Sequence, residues 1–186
     1  SDKPYDRFVR EQIAGDVIDP DSPDSIIATS LLVCGAYDQA GNLQANQTQK
    51  MISREDELED LISTVGQGVL GITINCARCH SHKFDPVPLK DYYAIKAVFQ
   101  GVRHGERPLV SRAEVAARTA EIDSIKGRVT DKKEQEREIK ALKPLPVSYT
   151  GVREQPSPTK LLKRGDVRSP GEEVSAGGLS EIPDFG

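Results

Sequence analysis

Cys76, Cys79 and His80 are the residues whose types and spacing point to chemistry. Two thiols two residues apart, with an imidazole directly after the second, form the pattern of a c-type haem attachment site. In that chemistry each thiol adds to one vinyl group, and the adjacent histidine ligates the iron from its proximal side. Two other readings use the same atoms. Cys76, Cys79, His80 and His82 are a possible zinc knuckle, with His104 as an outside ligand, but four ligands within seven residues are cramped for a tetrahedral ion. A redox dithiol is the third, since CxxC lowers a thiol's pKa, yet no βαβ pattern precedes it.

The motif continues as Ser81-His82-Lys83-Phe84-Asp85-Pro86. Cys76 to Pro86 resembles the signature of the planctomycete-type cytochrome-c-like family, in which CARCH is followed by one polar residue and HKFDP. Lys3 to Phe8, Glu11 to Asp16, Leu70 to Thr73, Asp91-Tyr92-Tyr93, Arg164-Gly165-Asp166 and Pro170-Gly171-Glu172 resemble further blocks of that family. The likeness is looser over 35–60 and 100–150. Ser81 departs from it, standing where an aspartate is expected. The resemblance implies a domain of a large exported multidomain protein, with one covalent haem c and His80 as proximal iron ligand.

With a haem in place, the other residues acquire expected roles. Arg78 and Lys83 are candidates to pair with propionates. Phe84 is expected to pack on the porphyrin edge. Asp85 either accepts a hydrogen bond from the His80 ring or caps a local turn. His82 belongs to the signature, and is a candidate for hydrogen bonding behind the ligand, a proton relay, or a second centre. Met51, the single methionine, and His104 are the candidates for a sixth iron ligand. A sixth ligand suits electron transfer, whereas an open position suits peroxidase-like or small-ligand chemistry. The expected function is electron transfer to a redox partner protein or an adjacent domain of the same polypeptide. The rival expectations are a haem enzyme with an open iron and a non-haem zinc or structural domain.

The elements that position these residues read as mostly α. Tyr5, Phe8, Val9 and Ile13 fall on one face of a first helix, capped by Ser1 or Asp2 and closed by Gly15. Ile26, Ile27, Leu31 and Leu32 mark a second, ending near Gly35. Residues 36–50 read as a loop. A third helix is expected to start at Ser53, with acids in its first turns and Leu58, Leu61, Ile62, Val65 and Val69 as its stripe. Gly66, Gly68 and Gly71 suit close approach of a backbone or of a flat cofactor. A fourth helix runs from Leu89 to Gln100, with Tyr92 and Tyr93 as core, and His104 follows on a loop. Ser111 with Glu114 opens a charged helical arm broken at Gly127, with nine basic and seven acidic residues up to Lys143. Six of the twelve prolines fall beyond it, where only Val147 to Tyr149 and Lys160 to Leu162 suggest short strands. This reading divides the chain into a cytochrome-c-like haem-binding helical domain over 1–104, a charged helical arm over 105–143 and an irregular connector over 144–186.

Composition sets the outer bounds. Apolar content of 37% and aromatic content of 5% predict a small core. A net charge of -4 without a basic, aromatic-interleaved cluster argues against nucleic acid. No apolar run approaches the ~20 residues that span a bilayer. Cys34 reads as a buried apolar residue. Haem attachment to CxxCH takes place outside the cytoplasmic membrane, so a periplasmic or otherwise exported location is expected. The chain opens on Ser1-Asp2-Lys3-Pro4 with no visible signal peptide, as expected of a fragment or processed product.

Overall fold

The computed structural model describes residues 2–182. Ser1, one of the two candidate caps, and 183–186 lie outside them. The architecture is mostly helical: α1 (Tyr5–Ile18), α2 (Pro23–Ala28), α3 (Gln39–Asn42), α4 (Gln47–Val65), α5 (Leu89–Phe99), α6 (Arg112–Arg128) and α7 (Lys132–Ala141). Short 3-10 helices cover Thr29–Val33 and Ile74–Arg78. Strands β1 (Val102–Pro108) and β2 (Val147–Arg153) pair, as do β3 (Lys160–Leu162) and β4 (Pro170–Glu173), the latter antiparallel.

The chain divides into two compact units, one of residues 1–31 with 105–151 and one of residues 32–104 with 152–186. The division falls within β1 and β2.

In the first unit α1 packs on α2. A Cβ at Gly15 would collide with the Ser25 carbonyl oxygen, so only glycine permits this crossing. The first helical segment breaks at the non-helical Ala14, beside the expected closing Gly15, and helix resumes from there to Ile18. The buried residues of α1 are Glu11, Gly15 and Asp16, not the expected apolar face. Glu11 is held by Lys3 and Arg7, and Asp16 by Arg107 at 2.6 Å. Tyr5 and Phe8 stack on each other in the open. The Ser111–Glu114 capping box forms in full at the start of α6. Gly127 stays inside α6, and the break falls after Arg128 instead, where Asp131 caps α7. Ile125 is the one buried residue of α6 and α7.

The second unit carries the main core. Leu58 and Ile62 of α4, Ile74 and Ala77 of the second 3-10 helix, and Tyr92 and Tyr93 of α5 are almost wholly buried. The tyrosine rings meet edge to face with centroids 5.1 Å apart. Helix α4 starts six residues before the expected Ser53, because the Asn46 side chain accepts the Gln49 N–H. The acids expected in its first turns are therefore mid-helix, where Glu55 grips Lys96 at 2.7 Å. Within the stretch 36–50, expected as loop, α3 and the first turn of α4 are helical. Gly66 meets the Ile72 carbonyl and the Ile74 side chain, whereas Gly68 and Gly71 face open space. Cys34 is exposed, not buried. His104 lies in β1 and not on a loop.

Candidate functional site

The five residues Cys76-Ala77-Arg78-Cys79-His80 divide into anchors and presented groups. Ile74–Arg78 is a 3-10 helix, in which residues three apart eclipse. Cys76 lies within this turn and Cys79 caps its end, and both are exposed free thiols. Ala77, between them in the chain, is fully buried. Arg78 reaches α4, pairing with Asp56 at 3.0 Å and with Glu59. Partial burial works against its charge, but the two carboxylates overcome it and hold the guanidinium more firmly protonated than usual. Both contacts are made through Nη1.

Tyr93 locks the same turn from below. Its hydroxyl donates to the Arg78 carbonyl at 2.9 Å and to the Leu162 carbonyl at 3.3 Å. Burial pushes its phenol up to about 12. The β3–β4 hairpin is thereby drawn to the motif. Between its strands Arg164 and Gly165 both adopt positive φ, 53° and 72°. A Cβ on Gly165 would stand 2.9 Å from the Cys79 Sγ. The Arg164-Gly165-Asp166 block thus packs directly on the second cysteine.

His80 is exposed, and its Nδ1 lies 2.8 Å from the Ser81 carbonyl oxygen. A carbonyl can only accept, so Nδ1 carries the proton and Nε2 keeps its lone pair. That tautomer is the one a metal-ligating histidine uses when its other nitrogen donates to a backbone carbonyl. The Ser81 hydroxyl accepts the Leu89 N–H at 3.2 Å, tying the motif to the first turn of α5.

His82 is built into the loop. Its side chain is 6% exposed. Nδ1 accepts from the backbone N–H groups of Phe84 and Asp85 at 3.2 and 2.7 Å. Nε2 faces the Thr73 hydroxyl at 2.9 Å and an Asp85 carboxylate oxygen at 3.5 Å. Asp85 thus stands at His82 and not at the His80 ring. Phe84 projects outward at 82% exposure, with the Lys83 ammonium 5.1 Å from its ring centroid.

Met51 and His104 belong elsewhere. Met51, half exposed, lines a cleft with Arg54 and Lys96, and His104 lines another with Arg54 and Glu57. His104 also stacks on Tyr37 at 4.4 Å. Neither cleft includes Cys76, Cys79 or His80. Among the described residues no three His, Cys, Asp or Glu side chains converge as a metal cluster, so the zinc knuckle is not assembled. No helix among them is long and apolar enough to cross a membrane.

A family model described as PSCyt2, protein of unknown function (DUF1549), matches residues 1–104. No curated protein and no solved structure matches the chain.

Proposed function

We propose that this chain, which belongs to the PSCyt2 family, is a cytochrome-c-like electron-transfer domain carrying one covalent haem c. The observation that carries the reading is the His80 ring, held with Nδ1–H on a carbonyl and its Nε2 lone pair kept, in the residue that directly follows two exposed thiols. This donor set suits such a group: two accessible sulfurs, followed at once by an imidazole with an unshared lone pair. Cys76 and Cys79 would each add S–H across one vinyl group, a thioether forming with no leaving group and no net redox change. His80 would ligate iron through Nε2. Bound there, the haem supplies a one-electron couple whose potential depends on its axial ligands.

The chain's own contribution is positional. Ala77, Arg78 and Tyr93 fix the 3-10 turn that carries Cys76 and leads into Cys79. The Ser81 carbonyl orients the imidazole. Phe84 offers apolar surface in the loop that follows the motif. Arg78, already paired with α4, is less suited to a propionate than Lys83. Attachment of this kind implies an exported protein, with the redox partner a separate protein or a neighbouring domain.

The second reading, a haem enzyme with an open iron, draws on the placement of Met51 and His104 in clefts without Cys76, Cys79 and His80. One experiment tests both. The chain is expressed with the cytochrome c maturation system, and its spectrum is taken oxidised, reduced, and reduced under carbon monoxide. A covalent haem with a reduced band unmoved by carbon monoxide supports electron transfer. A shifted Soret band supports the open site. Absence of covalent haem overturns both.

A further inference from the structure

Away from the thiols, the second unit holds a cleft of about 280 Å³ with five basic side chains among its lining residues. Lys50, Arg54, Lys96, Arg103 and Lys160 line it, against the single acid Glu55. Glu55 is already engaged, because the Lys96 ammonium contacts both its oxygens at 2.7 Å. Lys50, Arg54 and Arg103 also wall the adjoining cleft, which adds Glu57 and Glu154. Five basic side chains thus face three acidic ones in a protein whose net charge is -4.

The hydrogen bonding of the two guanidinium groups is incomplete. Arg54 donates from Nη1 to Glu57 and from Nη2 to the Gln100 and Val102 carbonyls. Arg103 donates from Nε to Glu154. Arg54 Nε and Arg103 Nη1 are buried with no partner. A buried unpaired donor is costly, and an unpaired charged one more so. The two groups also repel: burial first, and Arg103 next, lower the pKa of Arg54. Both guanidinium groups line the same cleft and each keeps an unpaired N–H, the donor chemistry that oxyanions bind.

We propose that this wall binds an oxyanion, a carboxylate or phosphate group bridging Arg54 Nε and Arg103 Nη1. The site is independent of the haem reading, since none of its residues belongs to the CxxCH motif or its loop.

The test is calorimetric titration of the full chain, at low ionic strength, with inorganic phosphate and separately with acetate. Arg103→Gln is the informative variant. Arg103 is a third exposed and makes one ion pair, whereas Arg54 also holds two backbone carbonyls. Lys140→Gln, on α7 in the other unit, controls for general charge. The expected result is one saturable site that weakens about tenfold or more in R103Q, the scale of one charge-assisted hydrogen bond, and is unchanged in K140Q. Binding of phosphate alone would identify a phosphate site, and binding of acetate a carboxylate site. No saturable binding of either anion, equal weakening by K140Q, or full binding by a folded R103Q would overturn the proposal.

Discussion

His80 and His82 stand two residues apart and hold opposite tautomers, with the proton on Nδ1 of His80 and on Nε2 of His82. The difference follows from what each ring meets. His80 meets a carbonyl, which demands a donor. The Nδ1 of His82 meets two backbone N–H groups, which demand an acceptor. One ring therefore offers a lone pair to solvent while the other spends its lone pair on the chain.

These two rings respond differently to removal. H82A leaves the Phe84 and Asp85 N–H groups without their acceptor, and is expected to cost about 1–2 kcal/mol, the penalty of a donor left unpaired. H80A removes an exposed ring and is expected to stay within about 0.5 kcal/mol of the wild type. Thermal unfolding of the haem-free chain measures both. For the haem-loaded form proposed above the order is expected to reverse, H80A changing the iron spectrum and H82A leaving it intact. Equal stability of the two variants would contradict the tautomer assignment.

Ser81 stands where the resemblance leads to the expectation of an aspartate. Its hydroxyl accepts the Leu89 N–H at the first turn of α5. A carboxylate there would accept the same bond and add negative charge at the positive end of the helix dipole. S81D is expected to raise stability by about 0.5 kcal/mol at low salt, with the gain shrinking as salt is added. A salt-independent change would point to another cause.

His104 gives a pH dependence. Burial holds its pKa below the ordinary value of 6.5, with Glu57 opposing and Arg54 assisting. Below 6.5 the unfolded chain therefore binds more protons than the folded one. The stability tied to the neutral ring is complete above 6.5 and is lost as pH falls through the lowered folded pKa. H104F keeps a ring against Tyr37 and removes the titration. Its stability should fall less than that of the wild type between about pH 7 and pH 5, as read from denaturant midpoints. Parallel curves would remove His104 as the source.

Local signals are legible in the sequence and long-range ones are not. The Ser111–Glu114 box and α5 lie within single segments, and both form as expected. The start of α4 is ambiguous in sequence because Asn46 and Ser53 are both good caps. Ser53 instead donates to Asp38 from inside the helix. Strand β1 carries a polar run, Arg103 to Arg107, that has no alternation to read and takes its pairing from the distant β2. At the site, CxxCH marks the thiols and His80. The role of His82 depends on Thr73 and on the backbone N–H groups of a folded loop, which no spacing encodes. The basic cleft draws Lys50, Arg54, Lys96, Arg103 and Lys160 from segments far apart in the chain.

Two glycines separate a backbone requirement from a mere absence of side chain. Gly165 sits at φ 72°, and a Cβ there would meet the Cys79 sulfur at 2.9 Å. G165A is expected to cost about 1–2 kcal/mol from the left-handed backbone alone, and to shift the reaction rate of Cys79 with a thiol reagent while sparing Cys76. Gly127 lies inside α6 with nothing within 4 Å of its Cβ position. G127A is expected to stabilise by about 0.5–1 kcal/mol, the helix-propensity difference between glycine and alanine. Opposite signs for the same chemical change would tie Gly165 to the presentation of Cys79. A stabilising G165A would mean that the hairpin does not hold Arg164 and Gly165 in this conformation against the second cysteine.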